Sequence, residues 1–231
     1  MEILTLGSKA ECTRCGDCCM KGSPSLHVGD SMLLKSGTLG YKDLFTIREG
    51  ELVYNNMEDE FISIDYELIK IREMKGARTC IYFNQEASAC GIYEHRPAQC
   101  RAYECWDTDN FMATFTDDKL TRTELLKGQT QLIEIVNAHS EKCSYTKLSD
   151  LFAAIADGKD LTGEVLEILG YDTYLRPLLT EKSGIPEEYL DLLLGRPLID
   201  TVIMFGYKVE KDNEGNYCLM ALNGEREDPK S

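Results

Sequence analysis

The chain has 231 residues, 43% of them hydrophobic, long enough to bury a real core in one large or two small domains. Its 40 acidic against 25 basic side chains give a net charge of −15, which argues against non-specific nucleic-acid binding; a solvated acidic surface is the simplest reading, and a cationic partner such as a lysine-bearing protein or a basic redox protein is compatible with it. No apolar run is long enough to span a bilayer and residues 1–10 lack a secretory pattern, so a cytoplasmic, membrane-free protein is expected.

A short lead-in, residues 1–11, runs into Cys12-Thr-Arg-Cys15-Gly-Asp-Cys18-Cys19, which packs four of the ten cysteines into eight residues. The thiolate is the species that binds a soft metal, and two-residue spacers let successive sulfurs converge, with Gly16 permitting a tight turn. In an extended backbone neighbouring side chains point opposite ways, so Cys18 and Cys19 are not expected to serve one site symmetrically. One of them faces a second metal, or one is a spare thiol. Residues 20–79 carry no metal-ligand pattern. Asp30 is placed to cap a helix over the following residues, 41–48 reads as a short helix ending near Gly50, and 51–54 and 60–64 read as strands. His27 has no partner at ligand spacing and is expected to be unliganded.

The second group is Cys80, Cys90, Cys100 and Cys105. Residues 79–83 read as a strand with Cys80 and Tyr82 on one face, and a hairpin returning through Cys90 brings that cysteine near Cys80. Pro97 suits the start of a short helix. Cys100 and Cys105 do not share a helical face, so that helix is expected to bend or end between them. Arg96 and Arg101 either tune the sulfurs with charge and N–H groups or pair with carboxylates. His95 is an alternative ligand, and Trp106 either shields a metal from water or belongs to the core.

After Asp107 the pattern turns helical. Residues 111–115 read as a strand. Thr121 and Glu124 form a capping box that opens a helix to about Lys142, with Leu125, Leu132, Ile135, Val136 and His139 on one side. Residues 147–157, 161–169 and 186–194 give further helices, the last between Pro186 and Gly195. Residues 198–209 and 216–222 suggest a β-hairpin around 211–215, followed by a polar tail over 224–231. Cys143 and Cys218 stand outside the motif and are expected to be structural thiols. The fold class expected is α+β: an irregular cysteine-rich metal-binding domain with short strands over 1–107, then a mainly helical region with a terminal hairpin over 108–231.

C-x2-C-x2-C with a distant fourth cysteine is the spacing of ferredoxin-type cluster binding. Structural zinc sites pair two short knuckles, and the second group here, with spacers of nine, nine and four, has none. The spacing therefore favours an iron–sulfur cluster, expected as 4Fe-4S, over zinc. Ten cysteines in a reducing compartment also argue for metal rather than disulfides.

The first group, then Cys80-Ile-Tyr-Phe and Cys90-Gly-Ile-Tyr-Glu-His-Arg-Pro-Ala-Gln-Cys100-Arg-Ala-Tyr-Glu-Cys105-Trp, resembles the CxxCxxCC family over roughly residues 10–107. That family is described as a zinc- or iron-chelating or Fe–S-containing domain. The resemblance implies a metal or cluster on some or all of Cys12, Cys15, Cys18, Cys19, Cys80, Cys90, Cys100 and Cys105. One branch, the flagellin lysine methylases, is described as pairing a cluster with S-adenosylmethionine, and nothing outside the shared motif ties this chain to it. No phosphate loop, zinc-protease motif or nucleophile elbow is present. Three functions stay open: an iron–sulfur oxidoreductase or methyltransferase acting on a protein or small molecule, a zinc-stabilised protein-interaction module, or a metal storage and delivery protein.

Overall fold

The computed structural model describes residues 12, 14–55, 59–107, 109–114, 118–211 and 217–222. The chain divides into two compact units, Met1–Phe45 with Leu68–Lys127, and Thr46–Glu67 with Gly128–Ser231.

In chain order, α1 (Asp17–Lys21) starts after Gly16, and α2 (Ser31–Lys35) follows a 3-10 turn at Val28–Asp30. The helix expected over 41–48 is instead a 3-10 turn, Tyr41–Asp43, running into strand β1 (Leu44–Ile47). Leu44, Thr46 and Ile47 are buried there, and a pleated, half-buried surface suits β-branched residues better than a helix does. β2 (Leu52–Asn55) and β3 (Glu60–Ser63) form the antiparallel pair that the sequence suggests, with Tyr54 opposite Phe61 and their rings edge to face at 5.2 Å. β4 (Leu68–Ile71) pairs with β1. The strand expected over 79–83 is mostly a turn. Cys80 makes an isolated bridge with Glu73, and only β5 (Phe83–Asn84) pairs with β6 (Ala89–Cys90).

Pro97 opens α3 (Ala98–Ala102), which ends between Cys100 and Cys105 as their spacing requires. The strand expected over 111–115 is α4 (Asp109–Ala113), with Phe115 outside the described residues. The capping box is formed: Glu124 N donates to Thr121 Oγ1 at 3.2 Å. The single helix expected to run to Lys142 is two, α5 (Arg122–Leu125) and α6 (Thr130–Lys142). Gly128, at φ +89°, takes a left-handed conformation between them that no helix interior contains.

α7 (Tyr145–Ala156) and α8 (Thr162–Ser183) follow. α8 runs well past the 161–169 expected, through Gly170 and Pro177, because burial of Val165, Ile168, Leu169 and Leu179 outweighs their poor propensity. A 3-10 turn and α9 (Leu190–Leu194) lie between Pro186 and Gly195. The strand expected from residue 198 begins later. Pro197 starts α10 (Leu198–Thr201), whose Leu198 is buried, and the hairpin is β7 (Tyr207–Lys211) with β8 (Tyr217–Ala221). The fold class is α+β.

The first unit buries Leu26, Leu39, Leu44, Ile69, Phe83 and Leu120. The second builds its core from α7, α8 and α10 through Tyr145, Leu148, Phe152, Val165, Ile168, Leu169 and Leu198. The Phe152 ring stacks on Phe205 at 4.7 Å and lies 4.8 Å from Tyr207. Each such side chain contributes about 1.5–3 kcal/mol by leaving water. No described helix is long and apolar enough to cross a membrane.

Candidate metal centre

The two cysteine segments are fastened to each other by backbone and by aromatic packing. Gly16 sits at φ +84°, and a Cβ there would fall 2.1 Å from Cζ of Phe83. The position therefore needs glycine twice, for its backbone and for the ring pressed against it. Cys80 N donates to Cys19 O at 2.8 Å. Asp30 was expected to cap the helix that follows it, but it caps a different one. Its Oδ1 accepts from Ala98 N at 2.9 Å at the start of α3, while Oδ2 accepts from His27 N at 3.0 Å. Beside it, Gln99 Oε1 accepts from Ser25 N at 2.7 Å. These bonds set the position of α3 and hence of Cys100.

Tyr93 is clasped between two cations, with the guanidinium carbons of Arg14 and Arg96 at 3.9 and 3.8 Å from its ring centroid. Such contacts are worth about 0.5–2 kcal/mol each, and Arg14 also pairs with Glu94 at 3.6 Å. Arg14 N donates to Cys12 Sγ at 3.4 Å, a bond that favours the thiolate. Arg96 Nε donates to Tyr93 O at 3.0 Å, and Arg101 Nη1 donates to Arg96 O.

Cys12, Cys15, Cys18 and Cys105 are exposed, Cys19, Cys90 and Cys100 are half-buried, and Cys80 is buried. The extended-backbone premise for Cys18 and Cys19 is overturned. Both lie in α1, where successive side chains diverge by only about 100°, and their sulfurs are 4.0 Å apart. Among the described residues, no third sulfur lies within 4.8 Å of both. Cys19 shares its proton with two neighbours. Its hydrogen bond brings Cys18 down to about 6 against the opposing effect of burial, and brings Cys90 down to about 6 in the same way, with Arg96 adding to both. Cys19 itself is pushed up by Cys18, then by Cys90 and burial. Burial pushes Cys80 up to about 11 and raises Cys100, which also feels Cys80, Cys18 and Cys90. Tyr103 is raised by burial and by the neighbouring Cys18, Cys105 and Cys15, and its ring meets Phe111 edge to face at 5.0 Å. Cys18 and Cys90 are thus held toward the thiolate and Cys19 toward the thiol. That donor set fits a soft metal, whose binding displaces protons.

Other candidates from the sequence fall outside this group. His27 is buried, with Nε2 3.0 Å from Thr114 O. His95 is exposed, in a 3-10 turn at Tyr93–His95, and Trp106 is half-buried. Cys143 is buried, as expected of a structural thiol, and Cys218 is half-buried.

A second constellation went unseen in the sequence. The ligand atoms of His139, Cys143 and Asp172, all fully buried, lie within 4.8 Å of one another. Asp172 is fully engaged. Oδ1 is 2.8 Å from His139 Nε2, Arg176 donates to both oxygens at 3.0–3.2 Å, and Leu198 N donates to Oδ2 at 2.9 Å. Burial works to raise Asp172, but His139 and Arg176 hold it down at about 2. Burial lowers His139 and pushes Cys143 up to about 12. With a guanidinium already on the carboxylate, this is an ion-pair network joining α6, α8 and α10. Its sequence signal was the i, i+4 spacing of Asp172 and Arg176.

Residues 11–124 match the CxxCxxCC family model, described as "Putative zinc- or iron-chelating domain". No curated protein and no solved structure matches the chain.

Proposed function

We propose that this protein carries a 4Fe-4S cluster on Cys12, Cys15, Cys18 and Cys105 and uses it for electron transfer or cluster-dependent chemistry with a protein or small-molecule partner, a reading supported by the match of residues 11–124 to a family model for a zinc- or iron-chelating domain. The observation that carries the reading is the exposure of all four thiols at one ferredoxin-like spacing. A centre that exchanges electrons with a partner needs an accessible edge, and solvent exposure is one of the levers that set a cluster's potential. When bound, the cluster supplies one electron at a time.

The chain's own residues tune that chemistry. Arg14 N donates to Cys12 Sγ, and the charge of Arg96 reaches Cys18. Both favour added negative charge and so raise the reduction potential. Tyr103, packed on Phe111, gives Cys15, Cys18 and Cys105 an apolar neighbour. Asp17, Glu94, Asp107 and Asp109 are exposed in the same segments and steer a basic partner toward the centre.

The test is reduction of anaerobically purified protein with dithionite. Reversible bleaching of visible absorption with a new EPR signal supports the reading, and a colourless, EPR-silent protein overturns it. A zinc-stabilised interaction module is favoured by one feature, the Arg14 N–H on the Cys12 sulfur, which suits zinc as well as iron. It predicts bound zinc and no redox response.

A further inference from the structure

We infer that the second unit carries a binding site for a small oxyanion, a carboxylate or phosphate group, on the buried guanidinium of Arg48. None of the residues that build it is a motif cysteine, and the site does not depend on the metal-binding reading.

Arg48 is 4% exposed, and its side chain is held on three sides. The stem passes so close to Gly195 that a Cβ there would fall 2.9 Å from Cγ, Cδ and Nε. Nη1 donates to Cys143 O at 3.1 Å, and Cζ lies 4.6 Å from the centroid of the Tyr145 ring. Nε and Nη2, both buried, have no hydrogen-bond partner. These two nitrogens share one edge of the guanidinium. Their N–H bonds run side by side there, as the fork that takes both oxygens of a carboxylate or phosphate. The Tyr145 ring attracts the cation but gives those N–H groups no lone pair in their plane. Its hydroxyl lies near Arg48 and donates to Thr201 Oγ1 at 2.8 Å, without taking either N–H.

The neighbouring carboxylates are committed elsewhere. Glu51 is fully buried, and its Oε2 accepts from the Arg48 backbone N at 2.9 Å while its Oε1 accepts from Arg196 Nε at 2.6 Å. Asp172 is taken by His139, Arg176 and Leu198 N. Arg48 is therefore a buried cation whose open edge faces no counter-charge among the described residues. A cation taken out of water is strongly disfavoured unless an anion joins it. A buried water would satisfy the N–H groups and leave the charge unpaired, whereas an oxyanion does both. The surroundings are polar as well: the charge of Arg48 reaches His139, whose Nδ1 also lacks a partner.

The test uses the full chain, exchanged without oxygen into a chloride buffer. One portion is denatured, and the phosphate and small carboxylates that it releases are counted per chain. Another is titrated with inorganic phosphate and with acetate at constant ionic strength, and followed through the Arg48 Nε–H resonance in NMR spectra. Wild type is expected to release one oxyanion per chain or to take one up with saturation, and the probe that saturates at the lower concentration identifies the group. Arg48→Lys keeps the charge but loses the fork, and is expected to bind about tenfold or more weakly, with metal content unchanged. A wild-type chain that releases no oxyanion and takes up none holds only water at Arg48 and overturns the inference. Binding equally tight in Arg48→Lys, or a response that chloride reproduces, overturns it too. The wild-type result decides the matter even where the substituted chain fails to fold.

Discussion

The cysteine segments and the His139–Cys143–Asp172 group both gather metal-ligand side chains, and they differ in how those side chains are already paired. In the second group the atoms are close enough to share an ion. Yet Asp172 accepts from a histidine, an arginine and a backbone amide, and the arginine's positive charge already lies where a metal's would act. In the cysteine segments the partners of the sulfurs are mostly other sulfurs and single N–H groups, which a metal can replace or retain. Proximity alone therefore does not mark a metal site. What separates the two regions is whether the ligand charges are neutralised by the fold or left for an ion.

The largest expected effect is metal removal. If the cysteine segments are held by metal, stripping it anaerobically with a strong chelator should cost on the order of 10 kcal/mol of apparent stability there. Hydrogen exchange should then show protection lost around residues 14–22 and 80–105 but kept in α6 to α8. Equal loss in both regions would break the comparison. Next comes Asp172→Ala, which leaves the mostly buried Arg176 with only the longer pair to Asp191 at 3.4 Å and the Gly195 carbonyl, and should cost about 3 kcal/mol in denaturant unfolding. The metal content should not change, and a drop in it would move the metal into the second group.

Gly16→Ala should follow. Displacing the Phe83 ring costs about 1–3 kcal/mol as overpacking, and the left-handed backbone adds about 1–2 kcal/mol. Metal occupancy should fall with it, and Phe83→Leu in the same chain should recover part of the loss. Acidification acts on the second group. Asp172 is ionised in the folded chain down to about 2 against an ordinary 3.8, so its contribution is present above about pH 4. It is lost as pH falls from there through 2, a loss of roughly 2–3 kcal/mol at about 1.4 per unit. His139, lowered by burial from an ordinary 6.5, binds its proton more readily unfolded, so stability already declines as pH falls below 6.5. A pH series on Asp172→Asn should flatten the lower part of that curve. The smallest effect is Thr121→Ala, which removes the capping box for about 1 kcal/mol and leaves metal content untouched.

The cysteine motif, the Thr121–Glu124 box, the helix start at Pro97 and the stop at Gly195 were legible because each is local. A spacer length, a cap or a fixed φ acts within a few residues. What escaped needed the third dimension. Asp30 has the chemistry of a cap, but the amide that it caps lies 68 residues away. Gly128 falls inside the single helix expected to run to Lys142, whereas at φ +89° it ends one. Residues from 198 onward are apolar enough for a strand, and the helical start at Pro197 is secured by the distant Asp172 carboxylate, which accepts from Leu198 N. The division of the cysteines into exposed and covered sets is invisible in their spacing, because Cys18 and Cys19 are neighbours in sequence and fall on opposite sides of it.

The most direct measurement is the iron, zinc and acid-labile sulfide content of the protein purified without oxygen, taken with its visible spectrum. Iron accompanied by equimolar sulfide and a brown colour is the predicted result. Zinc without sulfide, in a colourless protein, would contradict it.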